Sequence, residues 1–380
     1  MSLFFTIAVI ILIFLIIFQI AKAAEYVAVL KGEQKSNKQQ NKINAFLMVA
    51  FLVLGLIGVY WCNELFYGKT LMAIDAASDH GEKYDQMFTW TVIITGIVFF
   101  ITQIFLFWFS FRYQHSDKRK VFFFPHNNTL ELIWTVVPAI ALTVLVVIGL
   151  RNWFAMTSAA PSNALEVEVT GKQFGWLYRY PGKDHKFGQR YFKMIDDGAG
   201  NPLGQIWKDS SNGALNVKAD PANYDDVLPN QMYIVKGRPV KLIIGSRDVI
   251  HDVGMIHFRM KMDAVPGTPT SIWFTPKYTT KEMQDKTNNP NFQYEITCDQ
   301  MCGNGHYSMR GVIVVVTQPE FDAWMAQQKS NYYTAFPDKD PAGKVQLGTP
   351  ANNVNTGPNP DTLRLRGTSG NPVSDSLKNK

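Results

Sequence analysis

The chain has 380 residues, of which 47% are hydrophobic, and 37 Lys and Arg against 31 Asp and Glu give a formal net charge of +6. That length allows two or three domains, and so mild and diffuse a positive balance does not indicate a nucleic-acid-binding protein. Of the three cysteines, Cys62 lies in an apolar run and is expected to be a buried, inert thiol.

Four uncharged stretches dominate the first 150 residues: Ser2 to Ala21, Ile43 to Asn63, Met87 to Phe111 and Leu132 to Leu150. Each is long enough to cross a bilayer as a helix. The first resembles a signal peptide in its Ala21-Lys22-Ala23 but lacks a positively charged leading region, so it is read as a retained helix. Lys22, Lys31, Lys35, Lys38 and Lys42 lie between helices one and two, and Arg112, Lys118, Arg119 and Lys120 between three and four. Both loops are expected in the cytoplasm. The intervening loop, with Lys69 and Lys83 beside Asp75, Asp79, Glu82 and Asp85, suits the opposite side, as does everything after Arg151. This gives a membrane domain over 1–154, with lipid-crossing helices at about 2–21, 43–63, 87–111 and 132–150.

From Ala164 onward the pattern changes to short alternating segments: Leu165 to Thr170, Met232 to Val235, Val240 to Gly245, Phe292 to Thr297 and Gly311 to Thr317. Within the last, Val312 to Val316 is a β-branched apolar run typical of a buried strand. The expected fold is therefore α-helical transmembrane hairpins followed by an all-β Greek-key sandwich over 155–329. A polar, Gly- and Asp-rich insertion near 181–228 contains the turn signal Asp196-Asp197-Gly198. Glu320 to Gln328 reads as a short helix with Phe321 and Trp324 on one face. The remainder, 330–380, is poor in large apolar residues and is expected to be extended or disordered.

The chemistry concentrates in Cys298-Asp-Gln-Met-Cys302-Gly-Asn-Gly-His306-Tyr-Ser-Met309, with a further candidate imidazole at His251. Thiolate and thioether donors favour copper over hard cations, and Met309 tilts the choice. A mononuclear copper site needs one Cys; a second allows two bridging thiolates and a dinuclear electron-transfer centre. Three other readings compete: a Cys298–Cys302 disulfide in an oxidising compartment, a structural zinc site with no use for Met309, and ordinary packing of Met and His. None of the seven His falls within the four apolar stretches, and there is no Cys-x-x-Cys-His for covalent haem.

From about His126 to Gln328 the chain resembles subunit II of the haem-copper terminal oxidases, in the cytochrome c oxidase branch. The resemblance rests on His126-Asn-Asn-Thr-Leu-Glu131-Leu-Ile-Trp-Thr-Val-Val-Pro138, on Asp248-Val-Ile-His251 with Asp263-Ala-Val-Pro-Gly267, and on the cysteine loop. It implies a cupredoxin-like domain with a CuA centre of two copper ions. Cys298 and Cys302 would bridge, His251 and His306 would each cap one ion, Met309 would be a weak axial ligand, and Gln300 would lend its backbone carbonyl. The family commonly has Glu at Gln300, and a neutral amide is a poorer magnesium ligand, which counts against magnesium at the subunit I interface. Phe174 stands where the family's electron-accepting Trp is usual, so Trp176 or Tyr178 becomes a candidate for electron intake. Tyr178 serves equally as sandwich packing. Glu131 corresponds to the mouth of a proton-uptake path, or is a helix-opening carboxylate favoured by the macrodipole. The two helices before residue 112 lie outside the resemblance.

The implied function is the electron-input subunit of a respiratory oxidase in an energy-transducing membrane, the bacterial inner membrane, with its copper domain in the periplasm. It would pass electrons from a c-type cytochrome to the haem of subunit I, among other oxidase subunits; without intramembrane His this chain cannot house oxygen reduction. From Ala155 to Lys380 there are 25 basic and 22 acidic residues, so 25 − 22 = +3, and broad steering of a basic donor is not evident. The expectation is a c-type domain held in the same assembly, with Asp248, Asp252 and Asp299 as a local patch. A nitrous oxide reductase-like CuA protein and a copper-delivery module are the alternatives, and the Cys pair disfavours a quinol oxidase subunit.

Overall fold

The computed structural model describes residues 2–70, 73–116, 118–208, 212 and 215–341, with side chains described from Thr6 onward and not at 215–218. The chain divides into two compact units, one within Met1–Ala73 and Phe88–Leu145, the other within Ile74–Met87 and from Val146 onward.

Four long helices carry the apolar stretches: α1 (Ser2–Lys31), α2 (Glu33–Phe66), α3 (Asp79–Arg112) and α4 (Asn128–Thr157). Each outruns its apolar stretch because backbone hydrogen bonding continues into the polar flanks. At α4, Asn127 caps the start by accepting the Leu130 N–H at 3.1 Å. All four are long and apolar enough to cross a membrane. In the first unit their side chains point outward, with Phe14, Leu54 and Leu142 all exposed, as lipid-facing helices require. Cys62 is likewise exposed, not buried as expected, because a helix apolar on all sides has no inward face to hide it.

In the second unit the strands are β1 (Leu165–Lys172), β2 (Gly175–Arg179), β3 (Ile206–Lys208), β4 (Leu215–Ala219), β5 (Met232–Val235), β6 (Val240–Ser246), β7 (His251–Met255), β8 (Met260–Ala264), β9 (Thr270–Phe274), β10 (Tyr294–Cys298) and β11 (Arg310–Val316). They form one sheet in the order β2-β1-β6-β9, a second in the order β5-β11-β10-β7-β8, and a separate β3-β4 hairpin. Alternate residues meet between the two large sheets: Val167, Val169, Leu242, Ile244, Tyr294, Ile296 and Ile313 are fully buried. The strands that the alternation pattern does not announce are β2 to β4 and β7 to β9. Their runs are short, and Asp, Lys, Asn, Gly, Ser or Thr stand among the apolar residues.

The insertion is fastened by a buried ion cluster. Arg179 on β2 pairs with Glu168 on β1 and, at 3.1 Å, with Asp226, while Arg190 reaches Glu168 at 2.8 Å. Gln205 and Asn223 complete it through Gln205 Nε2 to Asp226 at 3.0 Å and Arg179 Nη1 to Asn223 Oδ1 at 3.2 Å. The turn read at Asp196 closes by paired backbone bonds with Asn201, at 3.0 and 2.8 Å.

Two boundaries differ from the sequence reading. The stretch Ile74–Met87, assigned to the membrane domain, belongs to the sandwich unit. Ala77 N–H donates to His257 O at 2.8 Å, Ala77 O accepts from Lys277 N–H at 2.9 Å, and ion pairs join Asp75 to Lys286, Glu82 to Lys277 and Asp85 to Arg259. After α5 (Thr280–Lys286) and α6 (Gln318–Ala326), order also continues past Ser330 into α7 (Asn331–Ala335). There Tyr332 is buried 4.4 Å from Tyr224, ring centroid to centroid, so aromatic area offsets the ordering entropy that polar composition alone would leave. Residues 342–380, the rest of the expected tail, lie outside the described residues.

Candidate metal centre

His251 opens β7 and Cys298 closes β10, adjacent antiparallel strands that pair Cys298 with Val253. The loop after Cys298 folds back so that Cys298 N–H donates to Met309 O at 3.2 Å, just before β11 begins. Register and loop closure thus gather donors from two parts of the sequence. The sulfurs of Cys298 and Cys302 stand 3.7 Å apart. His251 Nδ1 faces the first at 3.8 Å, and His306 Nδ1 faces the second at 3.7 Å. Met309 Sδ lies 3.9 Å from Cys302 Sγ, and the Gln300 carbonyl oxygen 3.1 Å from Cys298 Sγ. Every residue singled out for this cluster is therefore brought together, with His251, Cys298, Cys302 and Met309 buried.

This geometry separates the competing readings. A sulfur separation of 3.7 Å is far beyond the ~2.05 Å of a disulfide bond, so the cysteines are free thiols. Packing alone does not explain why two thiols, two imidazole nitrogens and a thioether converge at 3.7 to 3.9 Å. A single tetrahedral zinc would leave the thioether without a role; a soft set of two sulfurs, two imidazoles and a thioether fits copper. Burial raises the Cys302 thiol above its ordinary value, and the Cys298 sulfur raises it further. Metal binding here must therefore displace protons.

Around the donors is a supporting layer that the sequence reading did not assign. His251 Nε2–H donates to Asp248 Oδ1 at 2.7 Å, which fixes the tautomer and leaves Nδ1 free toward the sulfurs. Asp248 also accepts the backbone N–H of Gln173 at 2.7 Å and of Val249 at 2.8 Å. Burial works against its charge, but these hydrogen bonds, His251 first, outweigh it and hold the carboxyl below its ordinary value. The readable signal was an Asp three residues before the His. Gln173 Nε2 donates to Cys302 O at 2.6 Å, and Gly171 leaves room for the imidazole, since a Cβ there would lie 2.7 Å from the His251 ring.

The aromatic candidates separate. Trp176 is buried edge-on to His251, with ring centroids 6.1 Å apart. Phe174 is half-buried against the cysteine loop: a Cβ on Gly303, whose φ is +133°, would lie 2.9 Å from its Cζ. Tyr178 is wholly buried in the sandwich core. The acidic patch is only partly assembled. Asp252 is buried, while Asp248 and Asp299 are exposed, the Asp248 carboxylate being engaged by His251 and by the Gln173 and Val249 N–H groups. Glu131 is exposed in the first turn of α4, in the other unit.

The profile of "Cytochrome C oxidase subunit II, transmembrane domain" matches residues 68–151, and that of "Cytochrome C oxidase subunit II, periplasmic domain" matches residues 218–316. An alternative cytochrome c oxidase subunit 2 from Bradyrhizobium diazoefficiens is 32% identical over 248 residues, 65% of this chain and 80% of that protein. The chain belongs to the cytochrome c oxidase subunit II family. A probable subunit 2 from Rickettsia felis is 29% identical, covering 66% of this chain and 67% of that protein, and subunit 2 from Cereibacter sphaeroides is 25% identical, covering 64% and 74%. As a member of this family, the chain is the electron-input component of a membrane-bound oxidoreductase complex, with four membrane-capable helices and a periplasmic sandwich domain whose donor set suits copper.

Proposed function

We propose that this site would hold a pair of copper ions, with Cys298 and Cys302 supplying the thiolates, His251 and His306 the imidazoles, Met309 a weak thioether and Gln300 its carbonyl oxygen. Copper bound there supplies reversible one-electron storage. The protein's part is to hold the donors so that little moves when the charge changes. Cys298 is fixed by its pairing with Val253 on β7 and by its N–H to Met309 O, His251 by Asp248, and the Cys302 carbonyl by Gln173. The electrons come from a c-type cytochrome, held in the same assembly, and leave for the haem of subunit I, in a bacterial inner membrane.

Trp176, touching the His251 ring, is the preferred intake side chain, and Phe174 against the cysteine loop is the second. Met301 and Tyr307, 73% and 69% exposed on that loop, give a docking partner apolar surface beside the centre. Gln300 offers an amide and no carboxylate for magnesium. Glu131, at the start of α4, serves proton uptake.

One observation carries the dicopper reading: two sulfurs 3.7 Å apart, each faced by its own imidazole nitrogen. Metal analysis and EPR of the purified oxidase test it. Two coppers assigned to this chain, with an EPR signal of one unpaired electron shared between both nuclei, are expected, and Cys298→Ser or Cys302→Ser should abolish the signal together with cytochrome oxidation. One copper per chain, or zinc, would refute it.

A further inference from the structure

The insertion reaches the metal centre through Asp197. Its carboxylate takes both arms of Arg247, at 2.7 and 2.8 Å, and lies 3.5 Å from Lys172 Nζ. Arg247 Nη1 also donates to Pro202 O at 2.8 Å, and its backbone N–H donates to Gly171 O at 3.1 Å. The residue after Arg247 is Asp248, which holds His251. The residue after Lys172 is Gln173, whose N–H donates to Asp248 and whose amide donates to Cys302 O. Two cations, Lys172 only 7% exposed, thus flank the segments that carry the ligand supports, and Asp197 is their shared counter-charge. The hydrogen bonds from Arg247 outweigh the burial of Asp197 and keep its carboxyl below its ordinary value, so it is charged at neutral pH.

We propose that Asp197 is a positioning residue for the metal centre: it restrains and neutralises Arg247 and Lys172, leaving the Asp248 carboxylate to His251. This rests on the copper reading above. Without Asp197, Arg247 turns to the nearest remaining carboxylate, Asp248, and competes for the oxygen that orients His251. Two uncompensated positive charges beside the centre then favour its reduced form. A polar insertion between strands thereby acts on the centre's redox behaviour without contributing a ligand.

The test uses the intact oxidase and follows copper content, EPR line shape and the midpoint potential of the centre by redox titration. The near-isosteric Asp197→Asn should raise the potential and speed copper loss to a chelator. Asp197→Glu should return both toward the parent values. Arg247→Gln, which removes a cation and leaves Asp197 to Lys172, should shift the potential in the opposite direction and keeps the question answerable if the Asn variant does not assemble. A potential and line shape unchanged in Asp197→Asn, with only thermal stability lowered, would overturn the proposal by showing that the turn merely supports the fold. A parent protein without the shared-electron signal would instead remove the copper reading on which it stands.

Discussion

Two buried polar clusters in the same sandwich unit are built on opposite rules. Around Arg179 charge meets charge: Glu168 and Asp226 on either side, Arg190 behind Glu168, with Asn223 and Gln205 filling between. Around His251 the donors converge yet satisfy each other poorly, with sulfur contacts of 3.7 to 3.9 Å between groups that are weak hydrogen-bond formers. The first cluster ties β1, β2 and the insertion together through ion pairs. The second gathers soft donors at distances too long for good hydrogen bonds, which suits a bound metal, and it is the one on which the proposed function rests.

The largest effects come from breaking the first cluster. Arg179→Met leaves Asp226 buried without its cation and Glu168 with Arg190 alone, and should destabilise the protein by about 3–5 kcal/mol, while the folded fraction keeps an unaltered copper EPR signal. A loss of that signal in step with stability would mean the clusters are not separable. Asp226 adds a pH signature. Burial outweighs the attraction of Arg179 and pushes its carboxyl up from 3.8 to about 7. The folded state then binds a proton more tightly than the unfolded chain, so this contribution is full below pH 4 and is lost as pH rises through 7. Asp226→Asn should flatten the fall in melting temperature between pH 5 and pH 8.

Disturbing the second cluster's support should do the reverse. Asp248→Ala removes the acceptor that fixes the His251 tautomer and should weaken copper binding by about 10- to 100-fold, with little change in melting temperature. Asp248→Asn, which keeps an acceptor and loses the charge, should fall between parent and Ala in copper competition against a chelator. Equal affinity in all three would show that the strand holds His251 unaided.

This contrast was only half visible in the sequence. The proposed ligands could be singled out because soft donors at close spacing are rare and few uses need all of them. The five apolar alternating segments were legible because period two is a strong signal. The Arg179 cluster was not, since its members come from β1, β2 and the insertion, and nothing local announces that Glu168 on one strand meets Arg179 on the next. The docking of Ile74–Met87 was hidden for the same reason: its charges read as a membrane-side loop, whereas Asp75, Glu82 and Asp85 meet cations about 200 residues later. Ordering of Tyr332 depended on a distant partner in the insertion, Tyr224.

The smallest effect bears on the route of the electron. The Tyr178 hydroxyl is buried with no hydrogen-bond partner among the described residues, so it contributes a desolvation cost without a bond. Tyr178→Phe removes only that oxygen and should leave stability unchanged or raise it by up to about 1 kcal/mol. Because Trp176, not Tyr178, lies against His251, cytochrome oxidation should continue at the parental rate in Tyr178→Phe and slow in Trp176→Phe, with copper content equal in both. Stopped-flow oxidation of a reduced c-type cytochrome distinguishes the two side chains. A slow Tyr178→Phe enzyme with a full copper complement would place the phenol on the path and make its unpartnered hydroxyl a functional feature.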